Sequence, residues 1–324
     1  MHMISRIALA ALLVGLIPYR LAHAEEVIIK LGTLVPVGSP WHLLLKQAAQ
    51  EFEAVSGGRV KLRVYAGGTM GNEGDMVKKM RYGQLQAAAL STIGLHEITA
   101  EPMALDLPML VENTEEREYV LSKIGPRLEA ALNNNGYVLL NWSEVGMTRF
   151  FTTEARPTID AMRKGKIFVW DGDPHSAAAW RAGGFHPVVL SSTDIISSLT
   201  TGMIDTVVYP PSYALAMRIH EKARYMHDFI WSSLTGATVV SKATWDKVPQ
   251  DVRPKLLDVA RALGRQTVEK AREMEAEALT KMKAQGLQVV PITDRSGWEA
   301  AAKAANGVVR GKVVPADLFD EVHR

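Results

Sequence analysis

Cysteine is missing altogether from this 324-residue chain, which removes disulfides, thiol nucleophiles and thiolate metal sites together. Net charge is also scarce. The chain sets 37 Lys and Arg against 35 Asp and Glu, and so even a balance lacks the basic excess by which a nucleic-acid surface is read. Beyond the N-terminal residues no run is long and apolar enough to cross a bilayer. Enzyme signatures are lacking too: there is no G-x-S-x-G, no G-x-G-x-x-G, no P-loop and no H-E-x-x-H. The histidines are scattered, and only His175 stands near a carboxylate pair. These absences exclude whole classes of chemistry.

The N-terminus carries the first positive signal. Arg6 precedes an apolar run from Ile7 to Ile17, Pro18 breaks it, and Ala22-His23-Ala24 offers small residues at a cleavage site. Residues 1–24 therefore read as a secretory signal peptide, with a mature chain from near Glu25. A transmembrane helix is the rival, but the run is about half the roughly 20 residues a span needs. The remaining chain exceeds what one core usually organises, so two lobes are expected.

Along the chain, apolar strands alternate with amphipathic helices. Val27 to Leu34 reads as a strand, and Ser39 with Pro40 caps a helix carrying Trp41, Leu44, Leu45, Ala48, Phe52 and Val55. Ser56-Gly57-Gly58 stops it before the strand at Val60, Leu62 and Val64. A glycine-rich turn over residues 67–73 enters a helix to about Tyr82, followed by a strand from Ala87 to Leu90. Glu115 to about Leu132 is a helix, and Tyr137 to Trp142 is a strand expected to cross between lobes. Such alternation predicts an α/β sheet with helices on its faces. No stretch is a free linker or a repeat, so the lobes should be joined by structured strands. From Pro249 to about Gln285 an apolar stripe at steps of three and four, with Gly286 as its stop, predicts one long helix. A dimerising coiled coil is its competing reading, but the stripe breaks near Gln266 and Thr267 and uses Ala and Met at heptad sites.

Residues 165–211 read as strand, helix, strand, helix, strand, with Gly202-Met203-Ile204-Asp205 before the last. With Lys30-Leu31-Gly32, Pro36, Ser39, Pro40 and Trp41, then 56–60, Gly67-Gly68, Gly71, Glu73, Gly146 to Phe150 and Ser191 to Leu199, the order resembles the periplasmic solute-binding proteins of TRAP transporters, the DctP-like family, over nearly the whole mature chain. The resemblance implies a two-lobed α/β periplasmic binding-protein fold with a cleft between lobes and a long helix along both. It implies lobe I mainly over 25–145, lobe II mainly over 146–235, and a returning strand, the long helix and a C-terminal segment over 236–324. It further implies a monomer that captures a small organic ligand and delivers it to the small and large membrane subunits of a TRAP permease. A periplasmic sensor uses the same fold, and an exported enzyme is the remaining class.

The chain departs from the family at Phe168, where the resemblance implies an arginine that grips a substrate carboxylate. Exchanging guanidinium for phenyl removes a bidentate clamp, so a C4-dicarboxylate is not expected and an apolar or monoacidic ligand is. Arg149 matches a second family arginine and is the remaining acid anchor, its alternative being a structural salt bridge. Phe168 and Trp170 alternate with Ile167 and Val169 and should wall the cleft; Tyr209 should do so because strand carboxyl ends line crevices in open α/β sheets. Trp41, Ser39, Asn72, Glu73, Ser91 and Thr92 sit on turns after lobe I strands, and Glu144 lies near the hinge. Asp171 could bond a ligand hydroxyl or amine. Asp171, Asp173 and His175 could suggest a metal, but Asp173 as helix cap and Pro174 in the first turn explain the spacing, so none is expected.

Overall fold

A computed structural model of the chain describes residues 26–171 and 174–323. The signal-peptide reading and the cap at Asp173 lie outside the described residues.

The first half contains β1 (Val27–Thr33), α1 (Pro40–Val55), β2 (Val60–Tyr65), α2 (Glu73–Arg81), β3 (Ala87–Ser91), α3 (Thr92–His96), α4 (Thr114–Asn134) and β4 (Tyr137–Thr152). Then come α5 (Ile159–Arg163), β5 (Lys166–Trp170), α6 (Pro174–Ala182), β6 (His186–Leu190), α7 (Ile195–Thr201), β7 (Thr206–Tyr209), α8 (Pro211–Ala216) and β8 (Tyr225–His227). The chain returns through β9 (Ser232–Ser241), α9 (Lys242–Trp245), α10 (Arg253–Ala284), β10 (Gln288–Val290), α11 (Arg295–Val309) and α12 (Ala316–Val322).

Local chemistry explains several starts and stops. The Ser39 hydroxyl accepts from the His42 amide at 3.4 Å, and Pro40 occupies the first turn of α1. Asn72 and Asp75 form a reciprocal capping box at the start of α2. Gly202, at φ +71°, ends α7 in the left-handed region. The Asp205 carboxylate after it accepts from Arg156 at 2.7 Å and from the Lys166 amide at 2.8 Å. That turn therefore ties the ends of the second-lobe strands together.

The strands run in the order β2-β1-β3-β9-β4-β7-β5-β6, with β8 on β4 and β10 on β8. The β1 strand is parallel to β2 and β3, and β5 is parallel to β6 and β7. Between these two parallel sets lie β9 and β4, antiparallel to each other over nearly their full length. The crossing strand is longer than the sequence suggests, because β4 runs through to Thr152 and serves both lobes. Its register slips between Leu139 and Asn141 and again between Glu144 and Gly146, as bulges do where a strand is re-aimed.

The long helix joins the two cores. Leu256, Ala260 and Leu263 of α10 pack with Ile29, Phe52 and Trp245. Its far end places Ala278 and Met282 against Phe151, Val207 and Ile219. Between them Gly264, Thr267 and Ala271 are buried, and small residues there let the helix lie close to β4. The break in the apolar stripe is thus the crossing between lobes, and α10 packs within the chain along both of them. The C-terminal segment forms α11, whose Trp298 is fully buried among Phe150, Phe185 and Trp231.

Candidate functional site

Four strand ends converge on one point. Thr33, Ser91, Trp170 and Tyr209 are the last residues of β1, β3, β5 and β7, and all four line a cavity of about 120 Å³ between the lobes. A crevice at the carboxyl ends of parallel strands is where open α/β sheets bind ligands. Here two such sets face each other, one from each lobe. Trp41 from α1 and Glu73 from α2 add to one wall, and Tyr213 from α8 to the other. The floor is made of Asn141, Ser143 and Glu144 on β4, with Leu263 and Thr267 of α10. A Cβ on Gly74 would stand 3.5 Å from the Trp170 ring, so the lobes touch at this rim.

A second cavity, of about 160 Å³, lies beside the first and shares Ile93, Trp170, Tyr209 and Leu234 with it. Phe168, Thr148, Trp180 and Trp231 line it, and Ala305, Val309 and Val313 from the tail close it. Phe168 stacks on Tyr209 at 6.4 Å between ring centroids, and Tyr209 on Tyr213 at 5.0 Å. A stack of three rings therefore runs from one cavity to the other.

Few charged groups touch these spaces. Among the described residues lining the first cavity Glu73 and Glu144 are the charged ones, and neither lining includes a Lys or Arg. Glu73 is buried; its two oxygens accept from the Ser91 amide and the Ser91 hydroxyl, each at 2.7 Å. Burial pushes its pKa up, and the Ser91 bonds work against that shift by favouring the ionised form. Glu144 is buried as well, but it accepts from Thr114 at 3.0 Å and faces Arg117 at 3.5 Å. Burial pushes Tyr209 and Tyr213 up, and the nearby Glu73 charge adds to both shifts. In the second cavity, burial pushes Asp106 up to about 7 although Thr92, Ser233 and Thr235 bond its carboxylate.

Among the described residues that line the first cavity, several buried polar atoms have no hydrogen-bond partner. The indole N–H of Trp41, the carbonyl oxygen of Asn141 and the Ser192 hydroxyl are buried without a hydrogen bond. A buried donor or acceptor left unmade costs on the order of 1–3 kcal/mol, so these atoms suit a bound molecule or ordered water.

The residues singled out from the sequence divide clearly. Trp41, Glu73, Ser91, Trp170 and Tyr209 line the first cavity and Phe168 the second. Thr92 stands just behind, with its hydroxyl on Asp106. Ser39 and Asn72 are engaged as helix caps. Asp171 is exposed and lines neither cavity. Arg149 lies outside both linings and pairs instead with Glu275 of α10. On β4 it alternates with Thr148 and Phe150, and Thr148 takes the cavity-facing position. Asn141, Tyr213, Ser192 and Thr267 were not singled out from the sequence. Tyr213 follows Tyr209 by one helical turn after Pro210-Pro211, which was the signal available for it.

This arrangement is that of a two-lobed binding protein, and comparison with known proteins agrees. The model of the DctP family, bacterial extracellular solute-binding protein family 7, matches residues 31–309, and the chain belongs to that family. Its members are solute-binding proteins rather than enzymes. The 2,3-diketo-L-gulonate-binding periplasmic protein YiaO of Escherichia coli is 22% identical over 261 residues, which cover 80% of each chain. A TRAP periplasmic solute-binding protein of Chromohalobacter salexigens, solved with bound D-glucuronate, superposes with a TM-score of 0.85 at 19% identity. That match covers 91% of this chain and 99% of the other. One from Sulfurospirillum deleyianum, solved with bound succinate, has a TM-score of 0.83 at 20% identity, covering 92% and 98%.

Proposed function

We propose that this protein captures a small organic ligand in the periplasm and delivers it to the small and large membrane subunits of a TRAP permease. Its export would follow from the N-terminal signal sequence, and it would act as a monomer. The observation that carries the reading is the convergence of four strand ends from two lobes on one largely apolar cavity. The ligand has an apolar body and at most one acidic group. The lack of Lys and Arg in the described linings supports this, since a second carboxylate buried without a cation is expensive. Proteoliposomes carrying the cognate membrane subunits test the proposal. They should accumulate a labelled ligand only when the purified protein is added, and equal uptake without it would overturn the delivery role.

A further inference from the structure

The first cavity holds a buried carboxylate, hydrogen-bonded by Ser91 and Gly94, that no cation among the described residues neutralises. Glu144 has its counter-ion in Arg117. Glu73, only 7% exposed, is bonded by Ser91 and has no cationic partner among the described residues. Buried carboxylates are ordinarily paired, and a cation entering the cavity would favour the ionised form of Glu73 against the burial that raises its pKa. Gly94 keeps this carboxylate in place, because a Cβ at residue 94 would stand 2.8 Å from the Glu73 side chain.

Aromatic rings line the same space as the carboxylate. Tyr209 and Tyr213 stack at 5.0 Å, and the Glu73 charge acts on both phenols. Trp41 and Trp170 also line the space. Aromatic faces attract cations through their quadrupole, most strongly where water is excluded. An anion would face Glu73 at low dielectric with no positive side chain to offset it. The unpartnered Trp41 N–H and Asn141 carbonyl oxygen, on residues 6% and 5% exposed, add one donor and one acceptor. A neutral oxygen, able both to accept and to donate, is the solute group that matches either one.

We propose that the ligand is a small organic cation, an amine or quaternary ammonium compound carrying a neutral oxygen, with its charged head between Glu73 and the Tyr209–Tyr213 rings. The inference rests on the reading of this cavity as the solute site and names the solute's class. It sets the chain apart from the relatives solved with glucuronate and succinate.

Calorimetric titration of the purified protein with choline, with its neutral isostere 3,3-dimethylbutan-1-ol, and with succinate and D-glucuronate tests it. Choline should bind at least about tenfold more tightly than the isostere, and the two acids should not bind. Glu73→Gln should remove that preference while leaving the isostere's affinity within about threefold. Should that variant fold poorly, Tyr213→Leu keeps an apolar wall, removes the ring face and should narrow the preference in the same direction. Tighter binding of the isostere or of either acid would overturn the cation inference and leave the solute-binding reading standing. Silence from all four compounds would also overturn it and again leave the solute-binding reading standing, whose delivery role the uptake assay tests separately.

Discussion

Arg149 and Asp106 show how far a side chain's surroundings decide its role. The ion pair of Arg149 with Glu275 is 18% and 25% exposed on its two sides, so solvent screens it only in part. Arg149→Ala should lower stability by about 1 kcal/mol, between the exposed and the buried cases, and leave ligand affinity unchanged. Thermal melts and calorimetry on the same variant separate the two effects, and lost affinity would return Arg149 to the binding site. Asp106 and His227 titrate against each other. The raised pKa of Asp106, about 7 against an ordinary 3.8, means the folded state holds the proton that the unfolded state loses. Its contribution is fully present below pH 3.8 and is lost as pH rises through 7, by up to about 4 kcal/mol. Burial, with Arg156 nearby, pushes His227 down to about 4 from 6.5. Its contribution is present above 6.5 and is lost as pH falls through 4. The two slopes oppose each other between pH 4 and 6.5. Asp106→Asn should therefore expose the rising limb owed to His227, seen as denaturant midpoints that increase with pH over that window. A flat profile in the variant would count against the assignment.

At the scale of elements, α10 is the part whose position matters most. A Cβ on Gly264 would approach the Trp142 carbonyl oxygen well inside 3.0 Å, and Asn141 at 3.2 Å. Alanine is worth about 1 kcal/mol over glycine within a helix, but the obstacle is backbone and cannot move aside. Gly264→Ala should therefore destabilise and also weaken ligand binding, since Leu263 and Thr267 on the same turn line the cavity. Gly307 of α11 is the control: a Cβ there meets nothing within 4 Å, and Gly307→Ala should stabilise by about 1 kcal/mol. Circular dichroism melts of both variants check the opposite signs. Much of this architecture is legible in the sequence. The cap at Ser39-Pro40, the alternation of strand and helix and the stripe from Leu256 to Met282 are local signals, and each marks an element that forms. The bulges in β4 are not local signals. They decide whether Thr148 or Arg149 faces the cavity, and they arise from pairing with β9, far away in the chain. The role of Asn141 and the closing of the second cavity by α11 are hidden for the same reason: each depends on which distant segments meet.

For the whole molecule, the two lobes are connected by β4, β9 and α10, so they can rotate without separating. Gly146, at φ +137°, lies at the second slip in register of β4 against β9. It holds a conformation that a side chain would strain. A ligand biases such a rotation only through contacts it makes better in the closed state, and the first cavity offers those contacts from both sides. The rim contact of Gly74 with Trp170 gives a way to block closure without touching the ligand. At Gly74 a Cβ meets Asn72, Glu97 and Trp170 at 3.4–3.5 Å, which is ordinary contact, so Gly74→Ala should close normally. The longer side chain of Gly74→Leu has to push into the Trp170 ring, and this should hold the lobes apart while α2 stays folded. Small-angle scattering should show the radius of gyration fall on saturation with ligand for the parent protein and for the Ala variant. It should stay at the ligand-free value for the Leu variant, whose affinity should drop in parallel. If the Leu variant compacts as fully as the parent, the lobes do not close at this rim.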